Sequence, residues 1–425
     1  MIEKTFARLD EKIYIETLDN GLEVYLYPTK KTKNFYMTIS VKYGARILNY
    51  KLNNKEYDII PGSAHFLEHK VMALSENEEI SKRINELGSL ANAWTSYYGT
   101  NYNLFGSINL KENLKLLLDI FYNTDINEKC VEEEKGIIGE EIDMYKDDIN
   151  SDLYYRIFSN LFNESYVKHS VVGERSDIEK ITASHLNRIY NDFYAPNNTF
   201  IIVCGDFDRF EIMDLIKEYI GNIKIKPREI PQRVYKKDKS DVSVAFEEVK
   251  KDVVDCRVGY AIKIEKKLFP VKNNDILKLY LSLIFSNNFS STSAVYERYK
   301  NENIMYKMSY SINIIDEYVI IYIKGLCNDG GLFIDNVKRD IKNIFTKDFE
   351  FDRKKKGIIK YFITDFDNIE DIEYNIATSL MIDGEINYNI YNDINNMNFD
   401  TCLDVLNVIK NNINDNNVSV IKTIK

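Results

Sequence analysis

The chain is poor in cysteine, proline, tryptophan and histidine: five Cys, six Pro, one Trp and four His among 425 residues. The cysteines (Cys130, Cys204, Cys256, Cys327 and Cys402) are widely spaced, odd in number and contain no CxxC pair. That excludes a disulfide framework and points to reduced, mostly structural thiols of a cytoplasmic protein. No run of about 18 apolar residues is present, which excludes a membrane-spanning helix. The N-terminal stretch MIEKTFARLDEK lacks the apolar region of a signal peptide, so export is not expected. Basic residues are outnumbered, 56 Lys and Arg against 66 Asp and Glu, and the resulting charge of −10 argues against a nucleic-acid footprint, which needs clustered cations to displace counterions.

What is present reads as an ordinary globular protein, with 44% apolar and 29% charged residues. The length exceeds what one core usually serves, and two domains of roughly 200 residues follow. In IYIETLDNGLEVYLYPTKKTKNFYMTISVKYGAR, alternating apolar stretches flank Asp-Asn-Gly, a strong hairpin signal, so two or three antiparallel strands are expected. Helical patterns run through SAHFLEHKVMAL, EEISKRINELGSL, KENLKLLLDIFYN, CVEEEKGIIGEEIDMYKDD, ITASHLNRIYNDFY and EIMDLIKEYIG. Strand-like ANAWTSYYGTNYNLFGSI and NTFIIVCGDF lie between them. Residues 226–245 hold two prolines and a charge run and read as a linker between a domain at 1–225 and a second at 246–425. After that linker the pattern restarts with strands, a helix, a strand pair, two or three helices and a last strand, VSVIKTI. Both halves therefore read as α+β, each a mainly antiparallel sheet flanked by helices.

Half of the histidines sit in SAHFLEHKVM. Residues four apart on a helix share a face, so His65 and His69 can direct their rings at one point, a geometry that zinc accepts. Glu68 stands between them, close enough to act as a general base beside the metal, and together they form a minimal apparatus for amide hydrolysis. The competing reading is two solvated histidines on an amphipathic helix. A third ligand must come from elsewhere, because His169 and His185 have no acidic or histidine neighbour at ligand spacing and read as ordinary polar residues. In CVEEEKGIIGEEIDMYKDD, Ile137, Ile138, Met144 and Tyr145 mark an apolar stripe that contains Glu141, with Glu134 two turns earlier on the same face. A carboxylate there needs a partner, and a metal is one. Periodicity alone leaves Glu140 as a rival.

HFLEH followed by EKGIIGEE resembles the signature of the insulinase/pitrilysin metallopeptidases, the inverzincins. LDNGLEVYLYP, LGSLANAWTSYYGTNY and VVGERSDIEKITASHLNRIYNDFYAPNNTFIIVCGDF fit the same family, so the resemblance covers the whole first half and weakly the second. It implies a mitochondrial processing peptidase-like fold of two similar domains, each a bent sheet flanked by helices, with only the first bearing metal. It also implies one zinc per chain, held by His65, His69 and Glu141, with Glu68 as base and Glu134 supporting the site from outside the ligand set.

The resemblance implies further that Asn92 and Ala93 lie on an edge strand that receives an extended peptide, whereas Trp94 reads as core. Family enzymes need an arginine and a tyrosine from the second half. In SAVYERYKNENIMYKMSYS, Tyr306 matches the tyrosine, but Tyr299 holds the arginine position and Arg298 is one residue out of register. The implied protein is the zinc-bearing subunit of a heterodimer, a homologous partner supplying Arg and Tyr, or else a homodimer. Its expected activity is an endopeptidase acting on small or unfolded peptides inside a closed clamshell, with leader-peptide removal as a task. The alternative is a non-catalytic binding or assembly subunit.

Overall fold

The computed structural model describes residues 1–72, 78–344 and 350–424, with Glu78 described by its backbone alone. Ala73 and Leu74, expected at the end of the SAHFLEHKVMAL helix, lie outside the described residues.

The chain forms two compact units. The first comprises Met1–Met144, His169–Tyr235 and Ile363–Asn389, and the second Tyr145–Lys168, Lys236–Phe362 and Ile390–Lys425. The chain passes from one to the other at Tyr235–Lys236, inside the 226–245 stretch, and each unit is completed by a segment from the far side of that stretch.

Among the described residues, the first unit holds a seven-stranded sheet built from β1 (Ile2–Phe6), β2 (Glu11–Thr17), β3 (Glu23–Pro28), β4 (Phe35–Val41), β7 (Ser89–Thr95), β8 (Thr100–Gly106) and β9 (Thr199–Gly205). Their order is β1-β2-β3-β9-β4-β8-β7, antiparallel except for β3 with β9, which leaves β7 on an edge. A smaller sheet joins β5 (Asn49–Leu52), β6 (Lys55–Asp58) and β10 (Gln232–Arg233). The Asp-Asn-Gly hairpin joins β2 to β3 as its sequence predicts, with Gly21 at φ +84° in the left-handed region that favours glycine. Every residue of β4 and β9 is buried. This happens because helices cover both faces: the helix Leu110–Tyr122 packs on β4 and β8, and the helix Ile369–Ile382 packs on β4 and β9. A strand buried on both sides reads as an unbroken apolar run rather than an alternating one, as in FIIVC.

The second unit holds a five-stranded sheet among the described residues, in the order β11 (Phe246–Lys250), β15 (Val418–Ile424), β12 (Cys256–Glu265), β14 (Tyr318–Cys327) and β13 (Lys307–Ile315). One core cluster joins Tyr260, Ile262, Ile321 and Ile323 of the sheet to Leu277, Leu281, Phe285 and Val337 of the helices. The two or three helices expected after the last strand pair are five among the described residues: Gly330–Lys342, Phe351–Thr364, Ile369–Ile382, Ile390–Asn396 and Phe399–Asn412. Sequence reading also passed over the helix Ile149–Leu161, which packs on β12 and β15. Asp148 ends the helix before it and caps this one, accepting from the Ser151 N–H at 2.8 Å.

Candidate metal centre

α1 (Ser63–Met72) begins where Gly62 turns the chain at φ +87°, and a Cβ on Gly62 would meet Ile178 Cδ1 at 2.7 Å and the Val172 carbonyl at 2.8 Å. Only glycine allows that start. Ser63 donates its hydroxyl to the Ile60 carbonyl at 2.7 Å and lies 3.0 Å from His185 Nε2. Burial lowers the His185 pKa to about 4, with Arg188 acting in the same direction, so the ring stays neutral there. Phe66 and Leu67 are fully buried and anchor the helix, each contributing roughly 1.5–3 kcal/mol. α1 is buried nearly all round and opens only at Glu68 and His69.

α2 (Glu128–Asp147) supplies the facing carboxylates. Its buried row is Val131, Glu134, Lys135, Ile138, Gly139 and Ile142, whereas Ile137 and Met144 are exposed. The stripe expected through Ile137 and Met144 is therefore rotated by about one residue. Glu140 is exposed and Glu141 half-buried. Glu141 follows Glu134 by two turns, so both face α1.

The side chains converge. Glu141 Oε2 lies 3.5 Å from His65 Nε2 and 3.4 Å from His69 Nε2. His65, Glu68 and His69 each present a ligand atom within 4.8 Å of the others. His69 Nδ1 is 2.9 Å from Glu134 Oε1, and the other Glu134 oxygen is 2.9 Å from the Lys70 ammonium, which donates to the Cys130 carbonyl at 3.0 Å. With Nδ1 donating to Glu134, Nε2 is the nitrogen that a neutral His69 ring offers to a metal. Glu68 is held separately, its Oε2 accepting from the Thr95 hydroxyl of β7 at 2.5 Å.

The donor set fits a zinc ion. Bonds of about 2.0–2.1 Å at tetrahedral angles place ligand atoms about 3.3–3.4 Å apart, and the spacings of Glu141 from the two rings match that within about 0.2 Å. The electrostatics agree. Burial opposes charge on His69, but Glu134 and Glu141 outweigh it and raise the pKa to about 9. Hydrogen bonding to His65 and then His69 holds the Glu141 carboxyl far below its usual range. The point between the three groups favours positive charge.

Asn92 and Ala93 lie on edge strand β7, Asn92 exposed and Ala93 half-buried. Trp94, expected in the core, is half-buried against Tyr374, with ring centroids 5.8 Å apart. Arg298 and Tyr306 belong to the second unit and have different partners. Arg298 pairs with Asp340, and the Tyr306 hydroxyl donates to Asn328 at 2.6 Å. Tyr299 is fully buried and donates to Asp340 at 2.6 Å. Sequence reasoning did not reach Thr95 or Lys70, whose parts depend on contacts between distant segments, and His185, read as an ordinary polar residue, is half-buried with its ring against Ser63.

A two-histidine, one-carboxylate cluster on facing helices beside a sheet edge is a candidate zinc site. Residues 53–175 match the insulinase family, peptidase family M16, and residues 180–358 match the peptidase M16 inactive domain. The chain is 32% identical over 306 residues to the uncharacterized zinc protease YmfH of Bacillus subtilis, a match spanning 69% of this chain and 68% of that one. It is also 27% identical over 235 residues to the zinc protease PqqE of Helicobacter pylori, about half of each chain. A crystal structure of an M16-like peptidase from Alicyclobacillus acidocaldarius superposes with a TM-score of 0.89 at 21% identity, covering 99% of both chains. The chain belongs to the insulinase family, peptidase family M16.

Proposed function

We propose that the chain is the zinc-bearing subunit of a heterodimeric endopeptidase that hydrolyses small or unfolded peptides. The observation that carries this reading is the convergence of His65 Nε2, His69 Nε2 and Glu141 Oε2 at ligand spacing, with Glu68 beside them and held by another strand. His65, His69 and Glu141 hold one zinc ion. Bound there, zinc supplies Lewis acidity for the peptide carbonyl and for water. Glu68 takes a proton from the attacking water on Oε1, the oxygen not held by Thr95, and delivers it to the leaving amine. Glu134 orients His69.

Substrate lies along β7, where Asn92 and Ala93 offer main-chain groups on a sheet edge. Such pairing recognises extended backbone more than side chains, which suits short or unfolded substrates, including a leader peptide. An arginine and a tyrosine from a homologous partner complete the site. The support for that is local: Tyr299 is committed to the core, and Arg298 is tied to Asp340. The spaced thiols favour a cytoplasmic setting.

The test is digestion of a mixed peptide library by the zinc-loaded chain, alone and with its homologous partner, read by mass spectrometry beside a Glu68→Gln control. Cleavage that vanishes in the control supports the peptidase; cleavage requiring the partner supports the heterodimer. Bound zinc with no cleavage in either arrangement leaves the assembly-subunit reading instead. Full zinc occupancy in Glu141→Gln, read by elemental mass spectrometry, overturns the ligand set.

A further inference from the structure

Cys256 and Cys327 lie 71 positions apart in sequence yet face each other directly across the antiparallel β12–β14 ladder. Directly opposed residues put both side chains on one face with Cα atoms about 4.5–5.5 Å apart, inside the roughly 4.4–6.8 Å that a disulfide spans. Both sulfurs are on the core side. Cys327 is fully buried within the cluster, whereas Cys256 packs against it and remains partly exposed. The Cys327 thiol lies 3.6 Å from the Cys256 carbonyl, and Cys256 Sγ lies 3.3 Å from the Thr423 carbonyl and 3.8 Å from that of Arg257.

The two thiols have different surroundings. Cys256 sits against the first residue of the helix Gly330–Lys342, where a Cβ on Gly330 would come within 2.7 Å of its sulfur. The glycine therefore makes room for a sulfur at the positive end of a helix. The hydrogen bond from Cys327 pulls the Cys256 pKa down against burial, helped by Thr423, Lys422 and the Gly330 N–H. The same hydrogen bond raises Cys327, with burial, Asp329 and Asp255 adding to it. Cys256 is thus the partly exposed member of the pair with the lowered thiol pKa, and Cys327 the buried member with the raised one.

We propose that Cys256 and Cys327 form a thiol–disulfide exchange site for low-molecular-weight disulfides, with Cys256 the attacking and Cys327 the resolving thiol. The Cys256 thiolate attacks one sulfur of the small disulfide, breaking its S–S bond and expelling a thiolate that takes up a proton. Cys327 then attacks Cys256 Sγ, closing the protein disulfide and expelling the second small thiolate, which takes up the proton that Cys327 gives up. The two protein thiols lose two electrons and the small disulfide gains them; excess small thiol runs the exchange backwards. The reaction cross-links β12 to β14.

The experiment equilibrates the full zinc-loaded chain in graded mixtures of oxidised and reduced glutathione, traps free thiols by alkylation and maps the peptides by mass spectrometry. The expected result is a Cys256–Cys327 linkage, with Cys130, Cys204 and Cys402 still alkylated, and a persistent mixed disulfide on Cys256 in Cys327→Ser. In the reduced, unsubstituted chain, iodoacetamide at neutral pH should label Cys256 roughly tenfold or more faster than the half-exposed Cys130. Equal rates at Cys256 and Cys130, or alkylation of all five thiols after the most oxidising mixture, overturn the proposal. The rate comparison needs no variant, so a substitution that fails to fold does not blunt it.

Discussion

Glu134 is fully buried with one oxygen on the His69 ring and the other on the Lys70 ammonium. Lys70 is buried beside it, and removing its carboxylate partner would leave that charge uncompensated. Glu134→Gln should therefore have two effects: zinc affinity falls roughly 10–100-fold in calorimetric titration, and denaturant unfolding shows a loss on the order of 3 kcal/mol. Unchanged affinity would show that His69 needs no second partner. Thr95 acts on Glu68 instead, so Thr95→Val should lower kcat about tenfold while leaving zinc stoichiometry intact, and an equal loss of zinc would contradict the separation of the two roles. His65, Glu68 and His69 were legible because a four-residue spacing on a helix is local geometry. Glu141 was preferred to Glu140 by resemblance. The stripe drawn through Ile137 and Met144 pointed in nearly the right direction for the wrong reason, since both are exposed and the buried row runs through Ile138 and Ile142. Thr95 left no signal, because a hydroxyl acquires its part only when another segment arrives beside it.

At the scale of elements, the helix Ile369–Ile382 carries Glu373, 1% exposed, onto the face of β4 and β9, where the Asn101 amide donates to it at 3.0 Å. Burial raises its pKa from 4.5 to about 7. The folded state thus holds the proton more tightly than the unfolded chain. The stability this contributes is fully present below about pH 4.5 and is lost as pH rises through about 7. Glu373→Gln keeps an acceptor for Asn101 and removes the titration. Its unfolding free energy should stay flat from pH 5 to 8 where the parent declines, with a gap on the order of 3 kcal/mol in its favour at pH 8. Parallel profiles would show that the carboxyl is already ionised in the fold. This helix belongs to a region where periodicity gave two or three helices rather than five, because consecutive helices with short breaks blur into one amphipathic pattern. Strand β9 was easier to see, since burial on both faces leaves the unbroken apolar run FIIVC.

For the whole molecule, the α+β class and the restart of the pattern after residue 245 could be read from sequence, but the crossing of segments could not. Nothing local in 145–168 or 363–389 records which sheet each covers. Each compact unit draws one segment from beyond the 226–245 stretch. A cut there should consequently yield two pieces, 1–225 and 246–425, neither of which melts cooperatively alone, whereas coexpression should restore one cooperative transition by circular dichroism. Independent cooperative melting of either piece would show that the crossed segments are dispensable.

The same crossing sets a schedule for synthesis. The β4 and β9 surface is complete once residue 205 has left the ribosome, but the helix that covers it ends only at Ile382. At roughly 5–20 residues per second, that apolar face waits on the order of ten seconds or more, exposed to solvent and to other nascent chains. The first unit therefore closes late in translation, and a holdase that recognises bare sheet surface would find its target in that interval.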